Sequence, residues 1–265
     1  MDYALVTLFG LLWGSFCNVM IYRIPREIPL GLWKNMRSAC IHCQSKVRWY
    51  HNVPLLSYVM LRGKCADCEK PISWRYPLVE ALCALTFLLV YKAHQGHASA
   101  LYGTASWVYW ADLVKNLYFF LSLIAVIFID IDFRIIPDRF SLGNWVIALG
   151  AAFALGTPHW IDSLIGGLMG FGLFFLLAWG YEKLRKIEGL GMGDVKMMGW
   201  LGAWLGFESV PLIVLMASVT GIIIGMIAMR RSKDGWQTAL PFGPFLALSA
   251  AVVWFLAQMT DVPTL

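Results

Sequence analysis

Two groups of residues in this chain have types and spacings that could do chemistry. The first is cysteine: Cys40-Ile-His-Cys43, then 21 residues, then Cys65-Ala-Asp-Cys68. Two C-x2-C knuckles at that separation suit a tetrahedral zinc ion, each knuckle presenting two thiolates while the intervening chain folds back. Four thiolates leave no open position for catalysis, so the zinc expected here is structural. A pair of disulfides and a redox dithiol are the rival readings. Disulfides are rare in a reducing cytoplasm, where charge puts this stretch; a redox C-x-x-C usually sits beside a βαβ pattern, which this sequence lacks. His42 and His51 read as solvated or supporting groups, because four cysteines already complete the site. Cys17 and Cys83 fall inside apolar runs and read as small buried hydrophobes.

The second group is a set of acids beside apolar runs. One run ends Val126-Ile-Phe-Ile-Asp130-Ile-Asp132 and continues to Ile136-Pro137-Asp138; another is entered through Glu188-Gly-Leu-Gly191-Met-Gly193-Asp194. Ionisable residues near membrane segments are costly, which makes each a functional candidate. Two carboxylates brought together from distant segments share one proton, because like charges a few ångströms apart cannot both ionise easily. One partner then takes a proton from an attacking water while the other polarises a scissile carbonyl, the chemistry of an aspartic peptidase. Gly191 and Gly193 would let a substrate backbone approach Asp194. Ion coordination and structural pairing remain open as alternatives for Asp130 and Asp194. Asp132 and Asp138, beside Arg134 and Arg139, also fit a solvated, salt-bridged loop, with Asp138 as a helix N-cap or first-turn acid. Asp112, Asp162, Glu182, Glu208 and Asp234 lie mostly in loops or at span ends and need no special role.

The elements that position these groups follow from composition. Of 265 residues, 59% are hydrophobic and 14% charged, against about 25% charged in soluble domains. Apolar runs of about 18 residues or more read as membrane-spanning helices, and eight are expected, at 3–22, 77–93, 113–131, 140–157, 161–181, 195–208, 209–229 and 239–259. The sixth is the shortest, with Glu208 and Pro211 as the only break before the seventh. The first has no basic start and no small-residue cleavage site, so it reads as a retained helix rather than a secretion signal.

Charge sets the orientation. The stretch 23–76 holds ten Lys or Arg, and the loops at 132–139, 182–196 and 230–233 bring the total to 19 of 21. The alternate loops hold none, and Lys92 and Lys115 sit at span ends where they can snorkel. Basic loops face the cytoplasm, so both termini are expected outside. The net charge of +5 is explained by topology and does not imply nucleic acid. The expected fold is therefore an all-α polytopic membrane protein of about eight transmembrane helices. A cytoplasmic four-cysteine zinc-binding loop domain, 23–76, separates the first helix, 1–22, from a second helix and outside loop, 77–112, and a six-helix core, 113–265.

At this point the residues resemble a known family. Gly191-Met-Gly193-Asp194 resembles the G-x-G-D signature of intramembrane aspartic peptidases, and its extension from Glu188 to Lys196 is similar to the form in bacterial type IV prepilin peptidases. Matching stretches follow in order: Gly14–Val19 with Tyr22–Pro25, the two knuckles, Asn52–Tyr58, Arg75–Glu80, Ile129–Asp132 with Ile136–Asp138, and Pro241–Pro244. The resemblance covers nearly the whole chain. It implies Asp130 and Asp194 as the catalytic pair, with Gly191, Gly193, Asp132 and Asp138 in support. It implies cleavage of basic leaders from type IV prepilins or type II secretion pseudopilins, just after a glycine, at the cytoplasmic face of the bacterial inner membrane. It also implies N-methylation of the new terminus with S-adenosylmethionine, associated with the zinc loop and N-terminal region. The stretch between Arg23 and Cys40 is shorter than in many members, and no glycine-rich cofactor fingerprint marks a methyl-donor site. Asp132 and Asp138 are candidates to meet the basic leader.

Three other readings are carried forward: a peptidase without the second activity, a cation transporter with acids near the bilayer centre and broken helices in paired halves, and a zinc-bearing scaffold. The aspartates near span ends and the absence of an internal repeat disfavour the transporter. The scaffold leaves Asp194 and its glycines without a role.

Overall fold

A computed structural model describes residues 2–30, 38–104, 106–186, 190–231 and 241–259. Glu188, Asp234, Lys34, Arg37, Lys233 and the first two residues of the eighth expected span lie outside the described residues. The described chain is helical, with two isolated β-bridges and no strands. The helices are α1 (Tyr3–Arg23), α2 (Leu56–Met60), α3 (Arg75–Tyr102), α4 (Trp107–Phe133), α5 (Leu142–Leu155), α6 (Trp160–Arg185), α7 (Met192–Leu205), α8 (Ser209–Arg231) and α9 (Gly243–Met259).

Five of them, α1, α3, α4, α6 and α8, contain stretches long and apolar enough to cross a membrane. Large apolar side chains stand exposed on α6 and α8, including Leu168, Leu176, Ile222 and Ile227. In water such faces would be a liability, whereas in hydrocarbon they are the favoured exterior. The protein is a multi-pass membrane protein. The remaining expected spans are real helices but short: α5 and α7 have 14 residues and α9 has 17, against roughly 20 for a full crossing.

The chain forms two compact units, Met1–Lys92 with Asn116–Ala125, and Ala93–Lys115 with Val126–Leu265. In the first, Gly10 and Gly14 lie one turn apart on α1 and face α3. A Cβ at Gly10 would sit 2.7 Å from Ala84 Cα, and one at Gly14 would sit 2.7 Å from Glu80 Cα. Small residues four apart allow this backbone approach, the usual means of pairing helices where lipid removes the hydrophobic drive. Asn18 Nδ2 adds a bond to the Tyr76 carbonyl at 3.0 Å. Cys17 and Cys83 are fully buried here.

In the second unit α7 is buried almost throughout, with Met197, Met198, Trp200 and Leu201 inaccessible. A helix apolar on all sides belongs inside a bundle, so its lipid-crossing length is not needed. Gly166 and Gly202 bring α6 and α7 into backbone contact, Gly170 repeats the approach against Met198, and Trp145 of α5 lies over Gly167 and Gly199.

Three expectations change. The sixth helix begins at Met192 and ends at Leu205, not at 208, because Gly206 takes φ 84° and turns the chain before Glu208. Pro211 then falls in the first turn of α8, where a missing N–H costs nothing. Lys115 does not snorkel: its Nζ pairs with Asp112 Oδ1 at 2.6 Å and donates to the Thr157 carbonyl at 2.7 Å. Asp112, read as an acid of no special role, is buried in that network with His94 Nδ1 at 3.5 Å.

The α6–α7 approach generates a stability prediction. Gly166→Ala should lower stability by about 1–3 kcal/mol, the cost of overpacking, because the neighbouring atoms are backbone and cannot move aside. Gly150→Ala, in open space on α5, should be neutral or stabilising by up to about 1 kcal/mol. Thermal unfolding in detergent compares the two, and equal effects would remove the argument.

Candidate functional site

Asp130 sits one turn before the end of α4, and its carbonyl accepts the Arg134 N–H that closes the helix, with Arg134 left-handed at φ 56°. Its side chain is buried, at 5% exposure. Carboxylates inside a bundle need a donor, and here the donor is the Gly243 backbone N–H, 3.1 Å from Asp130 Oδ2. Gly243 is the first residue of α9, so the carboxylate meets the positive end of a helix dipole.

Asp194 lies in the first turn of α7, behind a Gly191 cap that contributes no side chain. Acids are favoured at that position. The carboxylate folds back over the cap, so a Cβ at Gly191 would stand 3.5 Å from Asp194 Oδ2. Asp194 is half-buried. Ile136 fills the ground between the two helix starts: a Cβ would meet it at 3.1 Å from either Gly193 or Gly243. A Cβ at Gly243 would also lie 2.6 Å from Asp130 Oδ2. The starts of α7 and α9 therefore both pack against Ile136 through glycines, where an added side chain would crowd Ile136 and, at Gly243, the Asp130 carboxylate.

The other two acids separate from this pair. Asp132 is exposed. Asp138 is not a helix cap: the turn at Pro137–Ser141 precedes α5, and Asp138 Oδ1 instead binds Lys196 Nζ at 2.7 Å, tying the α4–α5 connection to α7. That pair is largely exposed, so its worth is about 0–1 kcal/mol. Gly243 was visible only as part of a matching stretch; nothing local in the sequence said that its amide would serve Asp130.

In the first unit the four cysteines come together, with all four sulfurs within 4.8 Å of one another. Cys40 and Cys68 are 3.9 Å apart, close to the roughly 3.8 Å edge of a tetrahedron with 2.3 Å metal–sulfur bonds. The knuckles are built alike. Cys40 and Cys65 donate their N–H to the carbonyls of Ser45 and Lys70, and accept from Gln44 and Glu69. Gln44 and Glu69 are both left-handed, at φ 59° and 57°. Ser45, through hydroxyl and amide, holds the Cys43 thiol down to about 6, favouring the thiolate that binds metal. The cluster can hold a metal ion. His42 is exposed and outside it.

One cavity, of about 520 Å³, opens beside the cluster. Asn18 of α1, Leu55 before α2 and Glu80 of α3 are on its wall, and the Leu55 N–H bonds Glu80 Oε2 at 2.9 Å. Sequence reasoning singled out the stretches Gly14–Val19, Asn52–Tyr58 and Arg75–Glu80 without assigning them a site.

Comparison with known proteins bears on both units. Residues 8–94 match the bacterial peptidase A24 N-terminal domain, and residues 117–226 match the type IV leader peptidase family. A prepilin leader peptidase/N-methyltransferase of Pseudomonas putida is 35% identical over 274 residues, covering 94% of this chain and 90% of its own. The type 4 prepilin-like proteins leader peptide-processing enzyme of Escherichia coli is 38% identical over 274 residues, covering 96% and 94%. No solved structure matches.

The cysteine geometry predicts that the purified chain takes up one cobalt(II) ion with the absorption of a tetrahedral thiolate site. Cys43→Ser with Cys68→Ser should lose that spectrum; retention would show the cluster is not the site.

Proposed function

The chain belongs to the type IV leader peptidase family, and from that premise we propose that it cleaves basic leaders from type IV prepilins or related pseudopilins, with Asp130 and Asp194 as the catalytic pair. The observation that carries this reading is a buried Asp130 near the end of α4 bonded by the α9 amide, with Ile136 packed between the α9 start and the α7 start that carries Asp194. One carboxylate, ionised, takes a proton from water as the water oxygen attacks the scissile carbonyl carbon. Its protonated partner hydrogen-bonds the carbonyl oxygen as charge develops there. The proton then passes to the amide nitrogen as the C–N bond breaks.

The substrate's architecture suits this site. A prepilin presents an apolar helix preceded by a basic leader, so its scissile bond lies near the membrane edge. The basic loops of this chain orient that edge toward the cytoplasm. Asp132 and Asp138, both exposed, are the candidates to meet a leader Lys or Arg. Exposed Gly191 leaves room for substrate backbone beside Asp194, whereas Ile136 occupies the space at Gly193.

The second activity proposed is N-methylation of the new terminus, as the relatives' names describe for those proteins. S-adenosylmethionine would supply the methyl group. Zinc is the metal proposed for Cys40, Cys43, Cys65 and Cys68, where four thiolates suit a structural role. It would staple a loop with few large apolar residues of its own.

Two outcomes test the peptidase reading. Asp130→Asn and Asp194→Asn should each lower cleavage of a prepilin by roughly 100- to 10,000-fold, measured by the gel shift of the processed product; cleavage at the normal rate in either would end the assignment. Gly243→Ala should also fall steeply in activity, because its methyl group would occupy the space of the Asp130 carboxylate. An active Gly243→Ala enzyme would show that the α9 amide is not needed.

A further inference from the structure

Three stretches that the acid pair leaves unused converge on the cavity in the first unit. Its volume of about 520 Å³ lies within the range of small-molecule sites, roughly 300–1,000 Å³. Cys40 and Cys65 form part of its wall, so a metal in the cluster would fix the loop that closes it.

The chemistry of the wall is specific. Glu80 is buried at 9% exposure, accepts the Leu55 N–H at 2.9 Å, and shares the cavity wall with Ser15. Among the described residues no cation pairs with it. Buried carboxylates without a counter-ion are costly unless something positively charged or donor-bearing meets them. Asn18 gives its amide N–H groups to the Gly14 and Tyr76 carbonyls, and its buried Oδ1 has no partner among the described residues. Tyr22, Tyr76 and His51 supply ring surface, and Lys46 and Lys70 supply exposed positive charge. Such a cavity fits a ligand with a cationic centre, hydrogen-bond donors, a flat aromatic base and a carboxylate.

We propose that this cavity is the methyl-donor site, taking an adenosyl sulfonium of the S-adenosylmethionine type. Glu80 meets the cationic part of the ligand, Asn18 Oδ1 accepts an N–H or O–H from it, the rings flank the purine, and the loop lysines face its carboxylate. The inference rests on the methyl-transfer reading proposed above, and adds the residues that would hold the donor.

Titration calorimetry of the full chain in detergent with S-adenosylhomocysteine, the demethylated product, tests it. Wild type should bind, and Glu80→Gln should bind about tenfold or more weakly, as for loss of a charged hydrogen-bond partner. Retained metal content and unfolding temperature establish that the variant is folded. Should Glu80→Gln not fold, irradiation of wild type with methyl-labelled S-adenosylmethionine and peptide mapping gives the second reading. Label on the segments 14–23, 50–58 or 75–80 supports the site; label confined to residues 126–259 overturns it. Unchanged affinity in a folded Glu80→Gln overturns the cavity assignment alone. No binding and no methyl transfer by wild type would instead remove the methyl-transfer reading beneath it.

Discussion

A carboxylate among apolar helices is tolerated only where the protein replaces the water it has lost, and Asp130 shows how this fold does so. Its Oδ2 takes the first N–H of α9, a backbone donor that would otherwise be an orphan at a helix start. Everything around that bond is arranged to permit it. Gly243 has no Cβ because one would lie 2.6 Å from the oxygen. Ile136 then packs into the space left at Gly243 and Gly193 together, locking the start of α9 to the start of α7. Asp194, in the first turn of α7, is thereby held on the same packed ground as Asp130.

The same economy of side chains recurs in the helix contacts. Between helices in lipid there is little hydrophobic gain to be had, so association rests on close packing. Gly10 and Gly14 bring α1 onto α3, and Gly166 and Gly202 bring α6 onto α7. The second contact matters for the candidate site because α7 carries Asp194. Being enclosed on all sides, α7 can be two-thirds the length of a membrane span and still be held. The first contact matters for the cavity, because it sets Glu80 against α1.

Much of this was legible in the residue order. Apolar runs marked the helices, and the basic stretches marked one set of loops. The cysteine spacing anticipated a cluster whose sulfurs are now seen together. Asp130 and Asp194 stood out because acids beside such runs are expensive, and the ordered motifs selected them from several candidates. What misled was local plausibility. Asp138 had the surroundings of a helix cap yet reaches Lys196, and Lys115 had the position of a snorkelling residue yet forms a buried pair with Asp112. Lys196 is remote from Asp138 in sequence; Asp112 lies three residues before Lys115 on the same helix, but the Thr157 carbonyl and hydroxyl that complete the buried network come from a distant segment.

By itself, then, the sequence determined helix content, the loops' charge asymmetry and the metal-binding potential of the knuckles, and it singled out two acids as candidates. These depend on composition and on spacings of a few residues, which short-range geometry translates directly. Only the tertiary structure decided that Gly243 serves Asp130 across 113 residues, that Ile136 joins two glycines, and that three separate motifs wall a single cavity. Those are meetings between distant backbones at sub-ångström tolerance, set by how whole helices cross. Spacing along one chain carries no record of such a crossing.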